Sequence, residues 1–405
     1  MVTRTVELLR QFSIPLILGI VAALVAANVD PEFYRSTIGW RLFGSDFLIF
    51  GHPVTLLFVI NDIFMVFFFG IAAKEITESF LPGGSLNPIK NAANPLISTL
   101  GGVIGPIAVF FVVLALLQSF GLEDSPHAQR GWGIPTATDI ALAWLVASAV
   151  FPKGSPAISF LLLLAVADDG IGLVIIAIFY GDPAHPARPE WLLLVVGAMI
   201  VAYFIRRILQ TERFAWHAHW WPFIMIAGLL SWIGLMKAHL HPALALVFIV
   251  PFIPGPQKDS GLYVEDTEDH SLLQAFEHAT KIWVDFGLFF FAFTNAGVEF
   301  AEIGPMTWII LTSLVIGKTL GITLFGLLAR RLGFPLPGTM GVRELIGAAF
   351  IASLGLTVAL FVAGAAFGAV DPILAGQAKM GALFTGFVGI IAVIFLRPIF
   401  RKRNE

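Results

Sequence analysis

The sequence contains no cysteine and few charged residues. Without cysteine it can form no disulfide, no thiolate metal site and no cysteine nucleophile. Charged residues make up 13% of the chain, about half the share found in an average soluble domain. The formal net charge of −3 gives no basic footprint of the kind that binds nucleic acid. Nucleic-acid-binding proteins and thiol enzymes are therefore excluded.

Long apolar runs take the place of the missing charges. Hydrophobic residues make up 58% of the chain, and many are arranged in runs long enough for a hydrocarbon core that needs roughly 20 residues. Glycine and proline clusters separate these runs. The sequence therefore predicts an all-α membrane protein, a single domain over 1–405, with about 12 transmembrane helices near residues 13–29, 56–80, 95–119, 134–150, 156–180, 191–210, 220–236, 240–254, 275–298, 306–330, 346–368 and 376–398.

Basic residues predict how the helices are oriented. If the N-terminus is cytoplasmic, lysine and arginine are far more numerous on the cytoplasmic side than on the outer side. Both termini are therefore expected in the cytoplasm, with an even number of helices. The first run, Ile14 to Val25, also has the pattern of a secretory signal. The spans that follow it favour a retained helix instead.

One stretch on the expected outer face does not have a helical pattern. From Trp40 to Ile49, Gly44-Ser45-Asp46 divides two short runs rich in large apolar residues. This pattern predicts a β-hairpin, whose unpaired edge could join a second copy of the chain. The alternative is an ordinary loop.

Two adjacent carboxylates lie deep in one predicted helix. Asp168 and Asp169 are each about 15 Å from the ends of the run Pro156 to Tyr180. A charge at that depth costs several kcal/mol unless it lines a wet cavity, binds a cation or takes up a proton. Neighbouring residues point about 100° apart, so the two carboxylates should have different partners. A site that binds either a cation or a proton follows; the alternative is a structural pair satisfied by neighbouring helices.

Two further charges fall inside predicted spans. Asp139 follows Thr138 and Pro135 in a segment where proline and β-branched residues weaken the helix. Lys318 lies about ten residues from each end of its span, beyond the reach of a lysine, and so requires a buried carboxylate. The plainer interpretations are that Asp139 caps a helix starting there and that the span around Lys318 is misplaced.

A second weak helix matches the first. The stretch 353–360, with Gly355 and Thr357, echoes 137–142 in offering a small or polar break within an apolar run. Broken helices at matching places in two halves predict a transport site at the membrane midplane. If the two breaks cross, four half-helix ends meet there. Their partial positive ends suit a carboxylate and their partial negative ends suit an ammonium, and Asp139 and Lys318 could fill these roles.

Three motifs together resemble the core signatures of NhaA-type sodium/proton antiporters. They are Gly133 to Ala141, Ala165 to Asp169 and Gly317 to Ile322. The likeness runs nearly end to end, including Asn61-Asp62 with Met65, His241, Phe276 to His278, Phe291 to Val298, Gly355 to Thr357 and Val370 to Pro372. The plainer interpretation of Asp62 is that it caps the second span together with Asn61.

That resemblance implies an inverted-repeat NhaA-like fold with two crossed discontinuous helices and a small outer β-hairpin. It further implies a multi-pass protein of the bacterial inner membrane. The expected activity is electrogenic exchange of Na⁺ or Li⁺ for H⁺ by alternating access, with no cofactor and a role in pH regulation.

The resemblance also implies roles for the buried charges. Asp168 and Asp169 would be the ion-binding pair, with Asp169 the more direct ligand. Lys318 would pair with Asp168, release it when the ion binds, and either carry a proton itself or only neutralise that carboxylate. Thr138 and Asp139 would shape the site where the broken helices cross.

A cytoplasmic funnel linked to the pH response is implied at Glu75, Glu277 and His278. Two departures from the family pattern fall in this region. The family usually reads Gly-Leu-Glu-x-Lys-Arg-Glu where this chain has Gly70 to Glu78, and Lys281 stands where many members have a second histidine. The plainer interpretation is that these are helix-end residues facing water.

Finally, the resemblance implies a moving core of residues 92–180 and 305–400. The remaining residues, 1–91 and 181–304, would form a panel that joins two copies into a homodimer, partly through the outer hairpin.

Three rival functions fit the sequence less well. An intramembrane aspartyl protease needs two opposed aspartates, whereas Asp168 and Asp169 are adjacent. A sodium-coupled organic-solute symporter of related fold gives no reason for Lys318 beside the carboxylates. A passive cation channel does not need a buried site at which ion and proton compete.

Overall fold

The computed structural model describes residues 14–44, 47–81, 89–152, 154–181, 187–209, 221–255 and 271–401. This part of the chain is almost entirely helical. Its main elements, in order, are α1 (Ile14–Val29), α2 (Pro31–Ile38), β1 (Leu48–Ile49), β2 (His52–Pro53), α3 (Leu56–Ser79), α4 (Ile89–Ser119), α5 (Ile140–Val150), α6 (Pro156–Phe179), α7 (Leu192–Leu209), α8 (Trp221–Lys237), α9 (Leu272–Asn295), α10 (Pro305–Arg331), α11 (Val342–Ile351), α12 (Thr357–Phe367), α13 (Pro372–Phe384) and α14 (Gly386–Arg401).

Most of these helices fit a membrane. Six helical segments in the described part of the chain are long and apolar enough to span one, and they contain α3, α4, α6, α7, α10 and the α13–α14 pair. A 3₁₀ helix, Ala128–Thr136, and α5 form a bent pair with 49° between its halves, which adds a seventh. Each run predicted from the sequence contains one of these elements, a shorter apolar helix or α9. The multi-pass helical fold is therefore confirmed.

The span predicted near 240–254 is not an α-helix. It consists of two 3₁₀ helices, Pro242–Phe248 and Val250–Phe252. Pro242 and Pro251 have no N–H to donate, which weakens a regular α-helical ladder. A 3₁₀ helix rises about 2.0 Å per residue against 1.5 Å in an α-helix. The two together can therefore reach about 20 Å with few residues.

The hairpin exists, but its turn differs from the predicted one. Leu48 pairs with Pro53 and Ile49 with His52, so the chain reverses after Ile49 rather than at Gly44-Ser45-Asp46. Phe50 and Gly51 make the reversal with φ of 50° and 91°, the left-handed conformation that a two-residue hairpin turn requires. Ser45 and Asp46 lie outside the described residues. We call the side of the molecule that carries this sheet the hairpin end.

Two helices contain a π-helical segment. The segment Val59–Phe64 interrupts α3 and contains Asp62. The segment Ser313–Lys318 interrupts α10 and ends at Lys318. Such segments redirect side chains relative to a regular helix and are common at functional sites. The interpretation of Asp62 as a cap of the second span is wrong. Thr55 is the cap, accepting a hydrogen bond from the backbone N–H of Phe58 at 3.1 Å.

Helices α4 and α10 pack backbone against backbone. A Cβ atom at Gly101 or Gly105 would overlap the carbonyl oxygen of Gly321 or Gly317. Only glycine permits this approach, which is a common means of close helix packing in membranes. The contact fixes α10 at the level of the lysine in its π-helical segment.

We predict that Gly321→Ala destabilises the protein. Its methyl group would overlap the carbonyl oxygen of Gly101, and overpacking of this kind costs about 1–3 kcal/mol. A thermal melt in detergent should show a lower midpoint than for wild type. The matched control is Gly197→Ala in α7, where an added Cβ meets no atom within 4 Å. Equal midpoints for the two variants would contradict the close packing.

Candidate functional site

The two interrupted helices meet at their breaks. The 3₁₀ helix Ala128–Thr136 is followed by an extended segment before α5, and α11 ends at Ile351, before α12 begins at Thr357. The backbone N–H of Asp139 donates to the carbonyl oxygen of Leu354 at 2.7 Å. A Cβ at Gly355 would lie 2.8 Å from the carbonyl oxygen of Ala137, so glycine allows this approach.

Asp139 caps two helices at once. Its Oδ1 accepts from the backbone N–H of Leu142 in α5 at 3.0 Å, and its Oδ2 accepts from the backbone N–H of Thr357 at the start of α12 at 3.2 Å. A carboxylate is favoured at helix N-termini, where free N–H groups carry partial positive charge. The capping interpretation is therefore confirmed, and the carboxylate also joins the two breaks.

Lys318 forms a buried ion pair. Its Nζ donates to Asp168 Oδ2 at 2.5 Å and to Thr138 Oγ1 at 2.6 Å, and both charged side chains are fully buried. Thr138 Oγ1 in turn lies 2.7 Å from Asp168 Oδ2 and 3.0 Å from the carbonyl oxygen of Ala352. A hydroxyl has one proton, so it donates to one of these at a time. The carboxylate partner that Lys318 requires is thus Asp168.

The two carboxylates of α6 have different surroundings, as expected for adjacent helix positions. Asp168 is fully buried, while Asp169 retains 9% exposure. Asp168 Oδ1 and Asp169 Oδ1 are both buried without a hydrogen-bond partner in the described part of the protein. Buried polar atoms are normally satisfied, so these two oxygens point to a proton or a cation as their partner.

A second charged cluster lies toward the end opposite the hairpin. Glu277 forms ion pairs with Lys74 and with Lys281, the latter at 2.8 Å, and Lys74 also contacts Glu78 at 2.7 Å. Glu75 is close enough to Asp169 for their charges to interact. His278, in contrast, is exposed on the surface of α9.

Sequence reasoning missed most partners in this cluster. The sequence predicts roles for Glu277 and Glu75. Lys74 and Glu78 belong to the stretch Gly70 to Glu78, which differs from the family pattern and predicts no ion pair by itself. The available signal was their spacing, because both Lys74–Glu78 and Glu277–Lys281 are separated by four residues and face one another on a helix. The pairing of Lys74 with Glu277 joins α3 to α9 and has no local signal.

The sequence model of the family described as Na⁺/H⁺ antiporter 1 matches residues 4–396. The chain belongs to this family. Na⁺/H⁺ antiporter 1 proteins are transporters, so the protease alternative is excluded and the resemblance seen in the sequence is confirmed.

Family relatives match over nearly their full length. A protein named Na(+)/H(+) antiporter NhaA from Desulfitobacterium hafniense is 56% identical over 390 residues, covering 96% of this chain and 94% of the relative. One of the same name from Geobacter sulfurreducens is 53% identical over 401 residues, 99% of each chain. The solved sodium proton antiporter MjNhaP1 from Methanocaldococcus jannaschii has a TM-score of 0.55 at 15% identity, covering 95% of this chain and 92% of its own. That likeness supports the fold alone.

We predict that the substitution Asp139→Asn destabilises the protein. Asparagine keeps one acceptor oxygen, so one of the two capped helices loses its partner. A buried N–H left unsatisfied costs about 1–3 kcal/mol. Thermal melts should show a clear loss for Asp139→Asn and little change for the control Asp30→Asn. Asp30 caps α2 through a single oxygen, which accepts from the backbone N–H of Phe33.

Equal losses in the two asparagine variants would mean that the second cap of Asp139 contributes nothing to stability.

Proposed function

We propose that this protein exports Na⁺, or Li⁺, in exchange for protons as a secondary active antiporter. The observation that carries the proposal is a pair of buried carboxyl oxygens, Asp168 Oδ1 and Asp169 Oδ1, beside the buried ammonium of Lys318. Neither oxygen has a hydrogen-bond partner among the residues that the structure describes. Unpartnered carboxylate oxygens inside a bilayer require a cation or a proton. The names of the relatives supply the two ions, Na⁺ and H⁺.

Exchange follows from competition at Asp169. The ionised carboxylate can bind Na⁺, and the protonated acid cannot. Na⁺ therefore binds Asp169 only after the proton has left the carboxyl group, and a proton binds only after Na⁺ has left. A cation near Asp168 Oδ1 also weakens the pair between Asp168 and Lys318. Because Thr138 contacts both, ion occupancy changes the contacts among α6, α10 and the break before α5.

Access to one side at a time completes the mechanism. In this proposal residues 92–180 and 305–400 move as a core against a panel of residues 1–91 and 181–304. Support comes from the hydrogen-bonded site residues, which all lie in the first set: Thr138, Asp139, Asp168, Lys318 and Thr357. Rocking of one set against the other exposes the site alternately. The panel, with its hairpin, would also join two copies into a homodimer.

We assign the hairpin end to the outer side of a bacterial inner membrane and both termini to the cytoplasm. The last turns of α7 and α10, at the opposite end, each carry two arginines, Arg206-Arg207 and Arg330-Arg331. Basic residues are retained on the cytoplasmic side. The cluster around Glu277 then lies at the cytoplasmic mouth, where Glu75 faces the site and His278 faces water.

Exchange is electrogenic if Lys318 releases a proton when Na⁺ binds. The first proton leaves Asp169 and the second leaves the ammonium that had been paired with Asp168. Two protons then enter for each Na⁺ that leaves, so one net positive charge moves inward per cycle.

Our first prediction for this function concerns the carboxylate pair. Asp168→Asn/Asp169→Asn removes the group that binds either ion, so Na⁺-induced proton movement in proteoliposomes should fall to the level of empty liposomes. Asp30→Asn is the matched control and should retain wild-type exchange. If wild type itself gives no Na⁺-dependent proton signal across a pH series, the antiporter is the wrong assignment. Na⁺-driven solute uptake would then be measured.

A second prediction separates the roles of the lysine. Lys318→Gln should retain slow exchange but lose net charge movement, because glutamine releases no proton. Charge movement is measured as a Na⁺-gradient-driven current on a supported membrane. The control is Lys379→Gln in α13, whose charge interacts with Glu302 rather than with the breaks. A current that persists in proportion to the exchange rate would show that Lys318 only neutralises Asp168.

A further inference from the structure

Residues 296–304 form a linker between the two sets of helices that move in the proposed mechanism. The linker joins α9, the last helix of the panel, to α10 of the core, and it lies at the hairpin end beside α2. It contains one short 3₁₀ helix, Phe300–Glu302. If the core turns against the panel, the chain must bend within this linker.

The first part of the linker is bound to the panel. Tyr34 Oη accepts from the backbone N–H of Gly297 at 3.2 Å, and a Cβ atom at that glycine would overlap the tyrosine ring. Asn28 donates to the carbonyl oxygen of Val298 at 3.0 Å and accepts from the backbone N–H of Phe300 at 2.8 Å. Since Asn28 belongs to α1 and Tyr34 to α2, the linker as far as Phe300 moves with the panel.

The last part of the linker is bound to the core. Gln377 in α13 accepts from the backbone N–H of Met306 through its Oε1 at 3.0 Å. The hydroxyl of Thr307 donates to the carbonyl oxygen of Gln377 at 2.9 Å and accepts from the backbone N–H of Gly304 at 3.3 Å. A Cβ atom at Gly304 would lie 2.6 Å from the amide group of Gln377, so glycine allows this approach. The chain from Gly304 onward therefore moves with α10 and α13.

The pivot lies between these two bound parts. The backbone N–H of Ile303 still donates to the carbonyl oxygen of Phe300, at 3.3 Å, so Ile303 belongs to the panel side. The next residue, Gly304, is already bound to the core side. A turn of the core can therefore be taken up by the backbone dihedrals on either side of this one peptide, which are the soft torsions of the chain.

One acid next to the pivot reaches from the panel side to the core. A Cβ atom at Gly376 in α13 would overlap Oε2 of Glu302, so this carboxylate lies directly on the core helix. Its charge interacts with Arg35 on the panel side and with Lys379 on the core side. Arg35 is also in an ion pair with Glu299. Lys379 forms no direct ion pair among the described residues, and the carboxylate with which its charge interacts is Glu302.

We propose that Glu302 and Lys379 form an electrostatic latch across the pivot, which favours the arrangement of core and panel seen in this structure. Opposite charges attract with an energy that falls as their separation grows, so a turn that carries Lys379 away from Glu302 is opposed. The latch biases the equilibrium between the two access states without contacting the transported ion. The inference rests on the proposed function, because it requires a core that moves against the panel.

The test measures the distance between core and panel. Because the chain contains no cysteine, Ser36→Cys in α2 and Ile373→Cys in α13 supply the only thiols for a spin label. Both positions are exposed. Pulsed electron paramagnetic resonance in lipid nanodiscs then gives the distribution of distances between the two labels. The peak that matches the present structure and the peak of the other access state give the ratio of the two populations.

Glu302→Gln should lower that ratio by about 1.5-fold to fivefold, the range of an exposed ion pair. Lys379→Gln should lower it by a similar factor. The double variant should show no larger change than either single variant, because each substitution removes the same interaction. Glu190→Gln, which removes an exposed acid of the panel, is the matched control and should leave the ratio unchanged.

Salt separates the latch from a change in local structure. The effects of Glu302→Gln and Lys379→Gln should shrink when choline chloride raises the ionic strength, because salt screens the attraction in the unsubstituted protein. A structural change would persist at high salt. The latch alters populations and not the charge carried per exchange, so Lys379→Gln still serves as the control for Lys318→Gln.

The outcomes are separable. Wild-type vesicles without Na⁺-dependent proton movement overturn the proposed function. Active wild type with the same population ratio in Glu302→Gln and Lys379→Gln, or with a single distance in every variant, overturns the latch alone. Additive changes in the double variant, or changes that salt leaves intact, show that the two residues act separately and also reject the latch.

Discussion

The buried ion pair between Lys318 and Asp168 is the interaction on which the rest of the site depends. Either charge alone, at this depth in an apolar bundle, would cost several kcal/mol. The pair is tolerated because the lysine donates to both the carboxylate and the hydroxyl of Thr138. Such a pair needs close, defined geometry, and the glycine contacts between α4 and α10 supply part of it.

Asp139 solves a second problem, that of ending four half-helices inside a membrane. Interrupted helices expose N–H and C=O groups that lipid cannot satisfy. One carboxylate here satisfies an N–H from each of two helices, and the breaks exchange a backbone hydrogen bond at 2.7 Å. Beside the breaks lie the ion pair and the carboxyl oxygens Asp168 Oδ1 and Asp169 Oδ1, which have no hydrogen-bond partner among the described residues. In the proposed function, Asp139 serves stability, whereas Asp168 and Asp169 serve ion exchange.

The sequence predicts those features of the fold and the site that local composition determines. The spans follow from apolar runs, and the depth of Asp168, Asp169 and Lys318 follows from counting residues within them. The position of the second break followed from Gly355 and Thr357. The family resemblance supplied the roles and the crossing of the two breaks, which spacing alone does not give.

What could not be predicted depends on contacts between distant segments. Asp62 was interpreted as a cap, although it lies within a π-helical segment whose carbonyl oxygen is held by Trp232, 170 residues away. The hairpin register depends on the left-handed conformation of Phe50, which a bulky residue rarely adopts. The Lys74–Glu277 pair joins helices that are far apart in the chain.

The π-helical segment Ser313–Lys318 has a consequence for how this helix can change during evolution. A residue more or fewer in a helix rotates everything beyond it by about 100°. The wider turn of a π-helical segment takes up one extra residue locally, so the loss of one residue here, with return to a regular helix, would leave Gly321 facing Gly101 and redirect only side chains of the segment itself, Lys318 among them. An insertion or deletion in the regular turns of α10 has no such segment to absorb it and would rotate one half of the helix against the other, whereas a substitution at a lipid-facing position leaves both halves in place. The length of this helix is therefore expected to be far more constrained than its composition.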